Sequence, residues 1–324
     1  MIISQTPLRI SFLGGGTDFR EFYNEHGGAV LTLAIDKFIY VILKERFDED
    51  IYINYSKKEI VKDVREIKHD LVRETMKKTG IERGIEITTL SDIPSSGSGL
   101  GSSSSVTVGL LNAMYTYHGY QVTNKRLADE ACEIEIDTLK KPIGIQDQYI
   151  AAFGNLCFIK FDKEGVSIEQ IPLSMEKRNE FLNNFQLFYT NRTRKSENIL
   201  KEQRDNIELK IKELCALRDL AHQGREALMH GDFDQIGHLL HEGWEIKKKL
   251  ASTISDEQLE SMYQTARNAG ALGGKVLGAG GGGFLLIYCK PKNQGSLRRA
   301  LKKYRIMKFG LSGKGSSIVF NIQS

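Results

Sequence analysis

The chain opens on an apolar, β-branched run, Ile2–Leu13, that stops at Gly14-Gly15-Gly16. A run of this kind closed by residues without side chains predicts a strand feeding a tight loop. Residues 29–34, 38–43 and 51–53 have the same character and are separated by polar turns, which predicts further strands of a mixed sheet. Between 59 and 79, Ile60, Val64, Ile67, Leu71 and Val72 fall at helical spacing and predict a helix. Residues 85–90 predict a strand, 106–117 a buried helix and 124–139 an amphipathic one. Phe185–Tyr189 reads as the strand that opens a second unit. From 196 to 250 the chain reads as one long helical stretch. Ile199, Leu200, Ile207, Ile211, Leu214, Leu217 and Ala221 mark its buried face. Phe284–Tyr288 and Ser317–Asn321 are strand-like. Strands and helices mix in both halves, so the expected fold is α+β in two domains, 1–183 and 184–324.

A length of 324 residues is enough for a substantial core and reads as two domains, and 40% hydrophobic with 27% charged residues is the balance of an ordinary globular protein. The net charge of +4 is spread among acidic residues. It suits an anionic small molecule better than a nucleic acid, and no nucleic-acid partner is expected. Lys247-Lys248-Lys249 and Lys302-Lys303 with Arg305 lie in helix-like stretches and read as solvated faces. No apolar run approaches the ~20 residues of a membrane span, so no membrane partner is expected. The first residues lack a basic region followed by an apolar one, and the expected compartment is cytoplasmic. Cys132, Cys157, Cys215 and Cys289 are widely spaced, fit no metal pattern and read as reduced thiols. The oligomeric state is not legible.

Three glycine-rich motifs carry the candidate chemistry. The stretch 94–105, Pro-Ser-Ser-Gly-Ser-Gly-Leu-Gly-Ser-Ser-Ser-Ser, has the composition of a linker but lies between an expected strand and an apolar helix. Glycines there let main-chain amides approach a ligand, and the following helix points its positive end at the same spot, which favours phosphate binding. Its hydroxyls add donors and a candidate Mg²⁺ ligand. No lysine stands in the register of a Walker A loop. Residues 278–283 satisfy the dinucleotide pattern G-x-G-x-x-G, but a strand is expected after them where that pattern needs a helix. Close packing against another loop, or a simple turn, explains these glycines better. In 7–18 a strand ends in glycines and presents Asp18, a hydrogen-bond acceptor for sugar hydroxyls or a plain capping residue.

Taken together, the order and spacing of these motifs resemble the GHMP kinases, named for galactokinase, homoserine kinase, mevalonate kinase and phosphomevalonate kinase. The stretch 7–18 resembles P-G-R-V-N-L-I-G-E-H-T-D of galactokinase, 94–105 resembles P-x-x-x-G-L-G-S-S-A-A, and the run from Lys275 resembles the carboxy-terminal G-A-G-G-G-G signature. The resemblance implies an amino-terminal ribosomal-protein-S5-like domain, a carboxy-terminal ferredoxin-like domain, and ATP with Mg²⁺ as cofactors. It assigns ATP to Pro94, Ser96, Gly97, Ser98, Gly99, Leu100, Gly101, Ser102, Ser103 and Ser104. Gly144-Ile145-Gln146-Asp147-Gln148 is similar to the galactokinase segment G-I-M-D-Q, which implies Asp147 as catalytic base with Arg9 beside it. Ser103 and Glu135 match the metal-binding pair, with Glu133 as the neighbouring alternative.

For the substrate the resemblance implies Gly15, Gly16, Thr17, Asp18, Gly144, Gln146, Asp147, Gly280 and Gly281. Gly15-Gly16 stand where galactokinase has Glu-His, which leaves room for a bulkier sugar. Arg192, Arg194 and Lys195 form either a site for a phosphate carried by the substrate or an exposed basic turn. Within the family the pattern is most similar to kinases that phosphorylate the anomeric hydroxyl of a heptose 7-phosphate, for nucleotide-activated heptose. A galactokinase- or fucokinase-like enzyme, a decarboxylase of the same fold and a silent sugar- and ATP-binding regulator are the other readings.

Overall fold

The computed structural model describes residues 1–94, 97–193 and 196–322. In chain order, β1 (Ile2–Leu13) runs into the glycine turn, α1 (Arg20–His26) follows, and β2 (Gly28–Glu45) returns antiparallel to β1. The sequence suggests two strands where the structure has one. Pro7 pairs with Phe38 and the next pair is Leu8 with Ile35, so the polar Asp36-Lys37 bulges out of the ladder. Proline has no N–H to give that ladder, and the bulge sits where the bond is missing.

β3 (Ile51–Asn54) and β4 (Lys58–Val61) form a hairpin, and α2 (Asp70–Thr79) follows. The helix expected from residue 59 therefore starts at Asp70. Ile60 lies on an edge strand and is half exposed, while Val64 lies in one 3₁₀ turn. The Glu59 carboxylate accepts the main-chain N–H of Lys68 at 2.6 Å and of His69 at 3.1 Å, which holds this segment out of a helix.

β5 (Ile85–Ser91) leads to α3 (Ser102–Tyr117), which begins earlier than the apolar run suggested. The serines form its first turn, behind Gly101 at φ +76°. α4 (Asn124–Cys132) passes into a π-helical turn at Glu133–Thr138 instead of continuing as one helix, and buries Glu135 completely. Such turns recur where a side chain must be re-aimed. α5 (Gln146–Phe153), β6 (Leu156–Asp162), β7 (Gly165–Gln170) and α6 (Met175–Asn183) complete the first half.

The second half holds β8 (Phe185–Tyr189), α7 (Ser196–Asp205), α8 (Ile211–His230), α9 (Phe233–Lys247) and α10 (Glu257–Asn268). β9 (Gly273–Val276), β10 (Phe284–Tyr288), α11 (Pro291–Ala300), β11 (Ile306–Met307) and β12 (Ser317–Asn321) end the chain. The long helical stretch is thus three helices, broken at 206–210 and at left-handed Gly231.

The first sheet has the order β12-β1-β2-β5-β3-β4, with β6 and β7 branching from β2; the second has the order β11-β8-β10-β9. The change of sheet falls at 183/184, but β12 returns to pair with β1. The segment 184–324 is therefore not a single continuous unit. One hydrophobic core spans both sheets. At the end of β1 the Phe12 ring lies 5.5 Å from that of Phe181 and 5.1 Å from that of Phe185, which ties the two halves at the loop carrying Gly14–Gly16. Among the described residues no helix is long and apolar enough to cross a membrane.

Candidate active site

The two glycine loops interlock. A Cβ on Gly99, at φ +76°, would lie 2.6 Å from the Leu277 carbonyl oxygen, and one on Gly278 would lie 2.7 Å from the Gly99 Cα. Main chain passes against main chain there, and β10 follows the second loop, so the dinucleotide pattern is a packing device. The contact fixes the loop ahead of α3. Ser105 anchors the first turn by donating to the Pro7 carbonyl at 2.8 Å, and the Leu100 carbonyl accepts the Arg9 N–H at 3.0 Å. The free N–H groups of a helix start and the helix dipole then face the cavity beside Ser102, Ser103 and Ser104.

Beside this positive end lies an ion pair. Arg9 donates Nε to Asp147 Oδ1 at 2.7 Å and Nη2 to Oδ2 at 2.6 Å, while Nη1 donates to the Gly99 carbonyl at 2.5 Å. All three guanidinium nitrogens donate, two of them to the same carboxylate, so the carboxylate is held in one orientation. Asp147 sits in the first turn of α5, whose dipole favours its charge. Gly101 makes room for the pair, since a Cβ there would lie 3.1 Å from Arg9 Cγ and 3.3 Å from Asp147 Oδ2.

Asp18 is buried further in. Its carboxylate accepts N–H groups from Gly16 at 3.0 Å and Gln146 at 3.2 Å. Burial, and then the nearby Asp147, raise its pKa, with the main-chain donors opposing. Thr17 closes the glycine turn through its hydroxyl to the carbonyls of Gly14 and Ala29.

Glu135 lies behind the serine turn. Oε1 accepts from Ser103 Oγ at 2.7 Å and Oε2 from Gln148 Nε2 at 2.7 Å. Burial raises its pKa, and Lys141 and these hydrogen bonds only partly offset that. A fully buried carboxylate with no cation in direct contact among the described residues, next to a cavity-facing hydroxyl, fits a hard divalent ion that takes its other ligands from phosphate and water. Glu133 is excluded as the alternative, because it is exposed and paired with Lys78 at 2.6 Å.

The serine turn, the Arg9–Asp147 pair and Asp18 line a cavity of about 710 Å³. Of the residues expected at a site, Arg9, Gly15, Gly16, Asp18, Gly97, Ser98, Gly99, Gly101, Ser102, Ser103, Ser104, Gly144, Gln146, Asp147 and Gly280 line it. Thr17, Pro94, Leu100, Glu135 and Gly281 do not: Leu100 is core, Glu135 is fully buried behind Ser103, and Gly281 gives its N–H to the Ile254 carbonyl at 2.8 Å. Arg192 does not take the expected place at the substrate either. It does not line the cavity and pairs at 2.6 Å with Asp256, whose carboxylate also caps α10. Ser96, Arg194 and Lys195 lie outside the described residues.

Sequence reasoning missed Ser11, Lys247 and Lys275, all of which line the cavity. Lys247 belongs to the run read as a solvated face, yet it is buried, because it falls on the apolar face of α9 with Ile236, Leu240 and Trp244. That spacing was the available signal. Burial and the neighbouring Arg9 lower its pKa to about 8, with Asp18 and Asp147 opposing. Burial and Lys247 push Lys275 well below the usual lysine range.

A helix amino terminus flanked by a glycine clasp, an arginine-held carboxylate and a buried acid behind a serine are the kinds of group that phosphoryl transfer needs. The model of the GHMP kinases N terminal domain matches residues 54–155, and that of the GHMP kinases C terminal matches 225–306. The chain belongs to the GHMP kinases and is an ATP-dependent kinase acting on a hydroxyl group. It is 31% identical over 320 residues to the D-glycero-alpha-D-manno-heptose 7-phosphate kinase of Campylobacter jejuni, with 93% of each chain covered. A crystal structure described as a D-glycero-D-manno-heptose 1-phosphate kinase from Bacteriodes thetaiotaomicron superposes with a TM-score of 0.83 at 25% identity, over 100% of both chains. Lactococcus lactis galactokinase complexed with galactose shares the fold, at a TM-score of 0.78 and 19% identity over 98% of this chain and 94% of that one. These relatives place the chain among the sugar kinases.

Proposed function

We propose that this protein transfers the γ-phosphoryl group of ATP to the anomeric hydroxyl of D-glycero-D-manno-heptose 7-phosphate, giving the 1,7-bisphosphate. The reaction would serve nucleotide-activated heptose for surface polysaccharide, in the cytoplasm. The observation that carries the reading is the bidentate Arg9–Asp147 pair, set between the serine-lined start of α3 and the Asp18 end of the cavity. The Campylobacter relative supports the sugar, and side-chain-free Gly15 and Gly16 leave room for an extended one.

When bound, Mg²⁺-ATP supplies the phosphoryl group and the neutralising charge, with Ser103 and Glu135 as the residues that would hold the metal. The α3 amino terminus and Ser98, Ser102 and Ser104 receive phosphate oxygens. Asp18, Gly144 and Gln146 orient the sugar, and Asp147 accepts the hydroxyl proton on its carboxylate late in a loose transition state. Arg9 keeps that carboxylate fixed. General-base help of this kind is worth ~10²–10⁴-fold.

A second reading, a kinase acting on an unphosphorylated sugar, is favoured by the engagement of Arg192 with Asp256, since that cation was expected to hold the substrate's phosphate. ADP release and product phosphorus NMR decide between them, with heptose 7-phosphate, mannose, mannose 6-phosphate, galactose, fucose and mevalonate as acceptors. A new anomeric phosphate with heptose 7-phosphate alone supports the first reading. Turnover confined to an unphosphorylated sugar refutes it.

A further inference from the structure

The cavity wall holds more positive charge than the reaction described above uses. Lys247 and Lys275 both line it, and each is about 95% buried. Lys247 donates to the Gly278 carbonyl, and Lys275 donates to the Phe12 carbonyl at 3.0 Å. Among the described residues neither forms an ion pair with a carboxylate. The nearby acids are engaged elsewhere, Asp147 with Arg9 and Asp18 with two main-chain N–H groups. A buried ammonium without a counter-charge is costly, and two that feel each other are costlier.

A second observation points to the missing partner. A Cβ built on Gly15 would lie 3.4 Å from Ser11 Oγ, 3.8 Å from Gln146 Nε2 and 3.9 Å from Lys275 Nζ. Ser11 is 4% exposed, lines the cavity, and its hydroxyl has no hydrogen-bond partner among the described residues. An ammonium, an amide and a free hydroxyl thus converge on a space left open by a residue without a side chain. The hydrogen bond to the Phe12 carbonyl and the approach to Gly15 set Lys275 beside the glycine turn that ends β1.

We propose that Lys275, with Ser11 and Lys247 beside it, binds a phosphate group that the acceptor already carries, separate from the phosphoryl group being transferred. The site rests on the preceding reading that the acceptor is a sugar phosphate, and it takes the role first considered for Arg192. A phosphate dianion offers several acceptor oxygens to these donors and neutralises both ammonium groups.

The test compares heptose 7-phosphate with the same heptose lacking its phosphate, in wild type, Lys275→Met, Lys247→Met and Lys275→Arg. The wild-type preference, as the ratio of kcat/KM values, is expected to fall ~100-fold or more in Lys275→Met and to be partly restored in Lys275→Arg. Calorimetry with heptose 7-phosphate and a non-hydrolysable ATP analogue, at pH 8 in two buffers of different ionisation enthalpy, supplies a readout independent of turnover. Wild type is expected to take up protons, because an anion beside Lys247 raises a pKa that stands at about 8, and Lys247→Met is expected to reduce that uptake.

Equal losses on both acceptors would mean that the lysines serve the transferred group, and would overturn the proposal. A preference for the phosphorylated acceptor that survives both methionine variants overturns the site alone. Wild-type protein that phosphorylates only unphosphorylated sugars overturns the substrate reading and the site together.

Discussion

Replacing Lys247 by methionine should make the ligand-free protein more stable. The side chain is 5% exposed, and its pKa falls from 10.5 to about 8 in the folded protein. That difference, 10.5 − 8 = 2.5, corresponds to about 3 kcal/mol held against folding at ~1.36 kcal/mol per unit. Methionine removes the charge at similar length but leaves the Gly278 carbonyl without its donor, which costs about 1 kcal/mol. The net expectation is a gain of about 2 kcal/mol, or roughly 3 °C in Tm for a chain of this size.

The sign of the pH dependence follows from linkage. Below pH 8 the lysine is charged in both states, and the folded protein carries the whole cost. Between pH 8 and 10.5 the unfolded chain keeps the proton that the folded one has lost, so wild-type stability rises relative to the variant. Above that window the advantage of the variant should vanish. Urea unfolding of both proteins at pH 7, 9 and 10.5, in phosphate-free buffer and followed by the single Trp244, measures the difference directly. A variant no more stable than wild type at pH 7, or a gap that ignores pH, would refute the electrostatic account of this lysine.

Asp147→Asn should lower kcat at least ~100-fold with little change in the KM for ATP; near wild-type turnover would remove the residue from the chemistry. Gly99→Ala forces a side chain into a left-handed position against the Leu277 carbonyl, so it should cost about 2–4 kcal/mol in urea unfolding and raise the KM for ATP. Glu135→Gln keeps an acceptor for Ser103 but loses the charge, and the Mg²⁺ concentration for half-maximal activity should rise ~10-fold or more. An unchanged Mg²⁺ requirement would separate Glu135 from the metal.

Local pattern was enough for the parts of this protein that depend on local physics. A strand ending in glycines, a serine run joined to an apolar helix and a glycine run before a strand were readable because turn, helix start and strand each depend on neighbouring residues. Three matches in family order then pointed to phosphoryl transfer and to Arg9, Ser103, Glu135 and Asp147. The helix expected from 59 failed because contacts of the Glu59 carboxylate, nine and ten residues away, outweigh helical spacing. Arg192 looked available until Asp256, 64 residues later, took its charge. Lys247 looked solvated until α9 packed it with Trp244 against the cavity, and β12 looked like part of the second unit until it paired with β1. Conformational preference is set over a few residues, and sequence carries it openly. Burial and charge pairing are set by whatever the fold brings alongside, so the identity of each buried ion's partner was decided only in three dimensions.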